Sequence, residues 1–194
     1  IPFGAASYGW ILSAGPSARE LAVLIAQYNS FAFDYLLRQF LSQPSVPQGT
    51  FSQLPIVPFE CFAVLNGIFG DGPSWIIRRV ASLVGPGDEM HELVSELGES
   101  EEGFVGWGPA RRERCRVELD AAMFHLFGLT HDEVDYVMET FPIVKRKDVA
   151  ASGSYRTKEL ILAAYDAMQV AIDSDVPYAS PLDPLVGSSE SDER

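Results

Sequence analysis

Histidines and cysteines are the side chains of this sequence best suited to hold metals, carry protons or attack substrates. The chain has three histidines, His91, His125 and His131, and two cysteines, Cys61 and Cys115. His125 and His131 stand on opposite sides of a corner expected at Gly128, and neither has a cysteine at the spacing of a zinc site. We therefore predict structural histidines, no metal site and no disulfide framework.

The sequence patterns of common catalytic sites are also missing. There is no Gly-x-Ser-x-Gly elbow and no P-loop, and the glycines of residues 103–108 do not follow a predicted strand. The numerous carboxylates are typical of a solvated acidic surface rather than of a catalytic pair. We predict that this chain contains no catalytic residues of its own.

Charge limits the classes of partner. Lys and Arg number 14 against 27 Asp and Glu, a net charge of −13, which argues against a stand-alone nucleic-acid binder. The basic residues nevertheless cluster in the second half of the chain. That cluster contains Arg111, Arg112, Arg114, Arg116, Lys145, Arg146, Lys147, Arg156 and Lys158.

Two roles stay open for these cations. They could contact DNA phosphates, which position a protein without reading sequence, or they could pair with neighbouring carboxylates. Pairing is the favoured role for the four arginines Arg111, Arg112, Arg114 and Arg116. The DNA-binding candidates are Gln48, Thr50, Ser52, Gln53, Arg111, Arg112, Lys145, Arg146, Lys147, Arg156 and Lys158.

Composition indicates a globular domain in a reducing compartment. Hydrophobic residues make up 47% of the 194 residues, and no apolar run approaches the about 20 residues of a membrane helix. Two cysteines without a pairing pattern, and no signal-peptide pattern, predict a cytoplasmic protein. Because the sequence begins at Ile1 rather than Met, we expect it to be a piece of a longer chain.

The first half of the sequence predicts helices mixed with short strands. Residues 8–12 and 50–57 are expected strands, and residues 59–68 suit either a helix or a strand. A capping box at Ser17 and Glu20 should begin one long helix that frays before Pro44. Further helices are predicted over residues 75–84 and 88–97, followed by a flexible connection over residues 98–108.

The second half predicts a helical hairpin and a closing helix. An apolar stripe begins at Cys115, Gly128 suits the corner, and Thr130 and Glu133 form a second capping box. Residues 143–155 are expected to be irregular, and residues 157–172 to form the last helix. The predicted fold class is therefore α+β, predominantly α-helical. We expect a target-recognition-like α+β segment (1–108), a C-terminal helical segment (109–172) and a disordered acidic tail (173–194).

Several segments, in this order, resemble one protein family. They read YNSFAFDYLLRQ over residues 28–39, QLPIVP over 53–58, VELDAAMFHLFGL over 117–129, TFPIV over 140–144, and YRTK over 155–158. This order resembles the C-terminal part of large adenine-specific DNA methyltransferases of bacterial type II restriction–modification systems and of BREX- and DISARM-like phage-defence systems. The resemblance covers about residues 18–171 and is weak over residues 61–102.

The resemblance implies a non-catalytic target-recognition and DNA-positioning fragment. In the family, the S-adenosylmethionine loop and an Asn-Pro-Pro-Tyr motif lie upstream, and neither motif occurs in this sequence. The parent would methylate adenine N6 with S-adenosylmethionine as cofactor, with or without a fused nuclease, by flipping the base out of the duplex. Expected partners are double-stranded DNA through the parent, the upstream methyltransferase domain and other defence-system subunits, but no membrane. Residues 40–52 depart from the Gly-Gly-Thr-His-type loop that family members often have.

Two local alternatives and one global alternative remain. Asn29, Ser30 and Asp34 either lie near a recognition cleft or hydrogen-bond to neighbouring segments, and the second role is favoured. The polar residues of 48–53 either read base edges or form a plain surface loop. As a whole, the acidic chain could instead be a protein-interaction module that docks a partner subunit or the rest of its parent.

Overall fold

Every regular element of the described residues is helical. The computed structural model describes residues 17–41, 46–84, 91–98 and 108–182. The predicted α+β class is therefore wrong, because about three quarters of the described residues are helical and these residues form no sheet. The α-helices are α1 (Ala18–Tyr28), α2 (Phe31–Phe40), α3 (Gln48–Phe51), α4 (Asn66–Phe69), α5 (Gly72–Val84), α6 (His91–Glu96), α7 (Pro109–Leu126), α8 (His131–Glu139), α9 (Pro142–Ser152) and α10 (Arg156–Ser174).

The strand expected over residues 50–57 is replaced by the end of α3 and an extended segment. The backbone of that segment forms hydrogen bonds with the side chain of Gln27. The Gln27 side-chain amide donates to the Val57 carbonyl at 3.0 Å and accepts from the Val57 backbone amide at 2.8 Å. The Gln27 side chain is buried, so it takes the place of a neighbouring strand. The strand expected over residues 8–12 lies outside the described residues.

The long helix expected after Ser17 is two helices, α1 and α2. The capping box of Ser17 and Glu20 is confirmed at the start of α1. Ser30 then begins α2, because its hydroxyl accepts from the Phe33 amide at 3.2 Å and donates to the Gln27 carbonyl at 2.7 Å. Asn29 donates to the Ile25 carbonyl. Asn29 and Ser30 therefore make local hydrogen bonds at this break, which is the role that we favoured.

Between α3 and α5 the chain is made of short helical pieces. The stretch whose element type was left open forms a 3-10 helix, Phe59–Leu65, followed by the single turn of α4. The helix predicted over residues 75–84 is confirmed as α5, although it begins earlier, at Gly72. Of the acidic helix predicted over residues 88–97, the described part is α6. Residues 99–107 of the expected flexible connection lie outside the described residues.

The predicted helical hairpin is confirmed as α7 and α8. Thr130 accepts from the Glu133 amide, and the Glu133 carboxylate accepts from the Thr130 amide, which completes the capping box. Leu129 lies against the core and Val134 is fully buried, as a hydrophobic staple requires. Gly128 has φ of 72°, so the chain reverses through a left-handed residue.

We expect Gly128→Ala to lower the free energy of unfolding by about 1–2 kcal/mol, the cost of a left-handed residue with a Cβ. A Cβ at Gly128 would meet no heavy atom within 4 Å, so the cost is conformational rather than steric. Gly49→Ala is the matched control, because Gly49 is equally open and has no positive φ. Urea unfolding should show Gly49→Ala as neutral or slightly stabilising. Equal effects of the two variants would contradict this account.

The prediction of an irregular region over residues 143–155 is wrong for residues 143–152, which belong to α9, while residues 153–155 form the turn that follows it. Pro142 occupies the first turn of α9, where its missing N–H costs nothing, instead of only ending the preceding helix. No residue of α9 is buried, so its sequence carries no apolar stripe from which a helix would be predicted. The closing helix is confirmed as α10, with Ile161, Tyr165 and Met168 buried against its neighbours.

One hydrophobic core joins the predicted first and second segments, since Ile76 of α5 and Phe124 of α7 belong to the same cluster. The predicted disorder from Asp173 onward does not extend to residues 173–182. Helix α10 continues to Ser174, and residues 175–182, which we name the carboxy strap, return to the core with Ser180 and Leu182 buried. Residues 183–194 lie outside the described part of the chain.

Candidate functional site

Segments that carry the resemblance meet in space although they are far apart in sequence. Asp120, from the VELDAAMFHLFGL segment on α7, accepts a hydrogen bond from the Phe31 amide at the start of α2, at 2.8 Å. Arg38 near the end of α2 donates to the Thr140 carbonyl at 2.9 Å, and its guanidinium lies 3.9 Å from the centre of the Phe141 ring. These polar contacts fix α2 against α7 and against the turn between α8 and α9.

His125 has a structural role. Its ring stacks on Tyr165 of α10 with the centroids 3.8 Å apart, and Nε2 lies 3.0 Å from the Tyr165 carbonyl oxygen. Burial lowers the pKa of His125, so the neutral ring is favoured. His131 lies near Asp132 and Asp166 at the surface. Among the described residues, no group of three or more His, Cys, Asp or Glu is placed to hold a metal ion.

Three of the predicted DNA-binding cations are held by carboxylates. Glu139 accepts from Lys145 at 2.6 Å and from Lys158 at 2.7 Å, and these bonds lower the pKa of Glu139 to about 2. Arg156 makes a two-pronged hydrogen bond to Glu113, with distances of 3.1 and 2.7 Å. All three cations therefore form ion pairs with carboxylates in this structure, which is the second of the two roles that the sequence left open.

The other basic candidates divide into two kinds. Arg112 donates to the carbonyls of Ser82 and Leu83, so it closes the C-terminal end of α5. Arg111 lies on the first turns of α7, partly exposed. By contrast, Arg146 and Lys147 are exposed on α9, and within the described chain neither has a hydrogen bond or an ion pair.

The polar candidates of residues 48–53 make local contacts. Ser52 and Gln53 both donate to the Gly49 carbonyl, at 3.2 and 2.7 Å. Thr50 is half-buried, and the side chain of Gln48 lies outside what the structure describes. The Ser52 and Gln53 side chains therefore help to close this turn. The choice between base reading and a plain loop stays open.

A buried ion pair was missed by the sequence analysis. Arg79 of α5 and Glu118 of α7 are both 1% exposed and lie 2.6 Å apart. Ser180 of the carboxy strap donates to Glu118 at 2.7 Å and accepts from Arg79 at 2.9 Å. The sequence contained a sign of this pair, because Glu118 lies beside Cys115 and Leu119 on the apolar stripe of α7. A carboxylate in such a position needs a buried partner.

A cavity of about 580 Å³ opens where the resembling segments converge. We name it the motif cavity. Most of its wall is apolar, and Asp120 is the buried ionisable residue among those that line it. It is lined by Ile25, Ala26, Asn29, Ser30, Phe31, Val80, Leu83, Val84, Arg112, Glu113, Arg116, Val117, Leu119, Asp120, Val144, Thr157 and Ile161.

Burial of Asp120 raises the pKa of its carboxyl to about 7, against the smaller opposing effect of the Phe31 amide. A carboxyl with a raised pKa stabilises the fold fully below its unfolded pKa near 3.8, and this contribution is lost as pH rises through 7. We therefore expect the unfolding free energy of the wild type, relative to Asp120→Asn, to fall between about pH 4 and pH 7. The slope should be at most about 1.4 kcal/mol per pH unit.

Urea unfolding at several pH values measures this difference. Asp175→Asn is the control, because it removes an exposed carboxylate at a left-handed position that asparagine tolerates. Its curve should run parallel to the wild type. If the Asp120→Asn curve also ran parallel to the wild type, the burial effect on Asp120 would be refuted.

Comparisons of this chain with protein-family models, with curated proteins and with solved structures found no match. None of the described helices has both the length and the apolar character needed to cross a membrane. The arrangement of the described residues is thus a helical scaffold with a surface helix that presents two unpaired cations, and with a largely apolar cavity at the junction of its motifs.

Proposed function

We propose that this chain is a non-catalytic C-terminal portion of an adenine-N6 DNA methyltransferase from a restriction–modification or phage-defence system. The observation that carries the proposal is the convergence of the resembling segments, in which Asp120 holds Phe31 and Arg38 holds Thr140. These segments lie up to about a hundred residues apart in sequence and still contact one another, so they form one structural unit. In place of the overturned α+β recognition segment, this unit is a helical scaffold.

In this proposal, α9 is the part of the scaffold that contacts the duplex. Arg146 and Lys147 are exposed and free of carboxylates within the described chain, so they can approach phosphates without first breaking an ion pair. Lys145, Lys158 and Arg156 would have to leave Glu139 and Glu113 to do so. Phosphate contacts would orient the duplex, and sequence reading and methyl transfer would lie elsewhere in the parent.

The methyl-transfer chemistry belongs to the parent and not to this chain. The resemblance places an S-adenosylmethionine loop and an Asn-Pro-Pro-Tyr motif upstream. The first test is to read the coding sequence upstream of Ile1 for both motifs in frame, and to assay adenine methylation by the complete protein. If the complete protein lacks both motifs and transfers no methyl group to adenine, the proposal fails.

The role of α9 is tested by binding of the complete protein to duplex DNA at several salt concentrations. Arg146→Ala with Lys147→Ala should weaken binding and reduce the slope of log K against log salt by about 2. The control is Arg19→Ala with Arg78→Ala, which removes two cations from α1 and α5 that are not among the DNA-binding candidates. Equal slopes for the two double variants would exclude α9 as the phosphate contact.

A second function is favoured by the paired cations. With Lys145, Lys158 and Arg156 neutralised by carboxylates, a chain of net charge −13 repels DNA and suits a module that docks a protein subunit. Under this alternative the complete protein would show no salt-dependent binding to duplex through this part. It would still form a complex with its partner subunit, and that complex would be insensitive to changes at Arg146 and Lys147.

A further inference from the structure

The motif cavity has the size and the lining of a small-molecule site. Its volume of about 580 Å³ lies within the range of ligand pockets in proteins. Apolar side chains from α1, α5, α7, α9 and α10 form most of its wall, among them Ile25, Val80, Leu119 and Val144. Polar groups supply the smaller part of the wall, which is the usual composition of a site for a ligand with an apolar body.

Asp120 is the polar group of this cavity that lacks a full set of partners. It is 8% exposed, and Oδ1 accepts from the Phe31 amide. Oδ2 has no hydrogen-bond partner among the described residues, and no cation lies within ion-pair distance of either oxygen there. The carboxylate as a whole is largely removed from water, so a ligand that supplies N–H donors to Oδ2 would add an interaction that the described residues do not provide.

The other charged groups that face Asp120 lie on the same helix. Helices α1, α2, α5, α9 and α10 contribute no charged side chain to the described lining, whereas α7 contributes Arg112, Glu113 and Arg116 besides Asp120. Arg112 is held by the carbonyls of Ser82 and Leu83, Glu113 is paired with Arg156, and Arg116 is exposed to solvent. The first two are already engaged, and the third lowers the pKa of Asp120 by the smallest of the three effects on it, after burial and the Phe31 amide.

We propose that the motif cavity binds a small organic cation with an apolar body, an amidine, guanidine or amine, whose N–H groups donate to Asp120. The body fills the space between Ile25, Val80, Leu119 and Val144, and the cationic end reaches Oδ2. The bond is a charge-assisted hydrogen bond at a site with little water, where such bonds are strongest. Binding of this kind does not depend on whether the parent is a methyltransferase.

Benzamidine is the probe for this site, since it carries an amidinium on an apolar ring. We expect saturable binding to the chain at pH 8 by isothermal titration calorimetry, with a Kd on the order of 1 mM for a ligand of this size. Benzamide, a neutral molecule of the same shape, should bind at least about tenfold more weakly. Lowering the pH to 5 protonates Asp120 and should remove the advantage of benzamidine over benzamide.

Two variants assign the binding to Asp120. Asp120→Asn keeps an oxygen for the Phe31 amide but removes the charge. This variant should weaken the binding of benzamidine by about tenfold or more and leave the affinity for benzamide unchanged. Asp175→Asn should leave both affinities unchanged. Circular dichroism melting would establish that each variant is folded. If Asp120→Asn does not fold, Leu119→Trp, which fills the cavity, should abolish benzamidine binding and so test the same site. Failure of benzamidine to bind the wild type, or undiminished binding in folded Asp120→Asn or Leu119→Trp, would overturn the proposal.

Discussion

Replacing Glu118 with alanine is expected to lower the free energy of unfolding by about 3–5 kcal/mol, because it leaves the Arg79 guanidinium buried without a counter-ion. Both side chains are 1% exposed, and two guanidinium nitrogens of Arg79 lie within 2.7 Å of Glu118 Oε2. This loss is a large fraction of the total stability of a typical domain. The variant should therefore be partly unfolded at 37 °C.

The effect is large because the ion pair also organises the carboxy strap. Glu118 Oε1 accepts from the hydroxyls of Ser180 and Tyr178, at 2.7 and 3.2 Å. The Arg79 guanidinium also stacks over the Trp75 ring, 3.3 Å from its centre. Removing the carboxylate thus leaves several donors with no acceptor, in a place that water does not reach.

Urea unfolding followed by circular dichroism is the measurement. Glu96→Ala on α6 is the control, because Glu96 is exposed and its loss should cost little. Arg79→Met with Glu118→Leu should recover most of the stability that Glu118→Ala loses, because an apolar pair of similar volume leaves no buried charge. A loss below about 1 kcal/mol for Glu118→Ala would show that water reaches this pair.

The second large effect is expected at the carboxy strap, where Leu182→Asp should expose the Cys115 thiol. Leu182 is 4% exposed and packs on Cys115, which is completely buried, with Leu83 beside them. A carboxylate at this position would leave its pocket rather than remain unpaired in an apolar site. Because Leu182 holds the strap against Cys115 and Leu83, we expect the strap to detach locally while the helices stay folded.

The rate of thiol modification at pH 8 reports this change. Burial raises the pKa of Cys115 to about 12, so the closed state holds almost no thiolate, and exposure should speed the reaction at least about tenfold. All variants should carry Cys61→Ser, since Cys61 is exposed and would react first. In Leu182→Met, which keeps an apolar side chain, Cys115 should react as slowly as in the Cys61→Ser protein that retains Leu182. A slow reaction in folded Leu182→Asp would show that Cys115 is covered by something other than the strap.

Much of the fold follows from local sequence. The hairpin of α7 and α8 was predictable because Gly128, Thr130 and Glu133 satisfy the backbone at the ends of these helices with groups only a few residues away. The apolar stripe of α7 and the start of α1 at Ser17 rest on the same short-range chemistry. Where a helix lacks an apolar stripe, as α9 does, the sequence offers no such signal, and the prediction failed.

The candidate sites divide in the same way. The sequence shows which residues are cations and where they lie along the chain, but it could not predict which cations would form ion pairs with carboxylates. Glu113 and Arg156 are 43 residues apart, and Arg79 and Glu118 are 39 apart, so each pair exists only after the helices pack. Arg146 and Lys147 are exposed, and neither forms an ion pair in the described chain, because α9 lies on the surface.

The sequence by itself determined that the chain is acidic and helical in its second half, since these properties depend on composition and on neighbours a few residues apart. Only the tertiary structure decided that residues 50–57 form no strand. The reason is that Gln27, about thirty residues away, supplies the hydrogen bonds that a second strand would have given. Tertiary packing also places Asp120 in a cavity and Glu118 in a buried ion pair, because burial depends on helices that are distant in the chain.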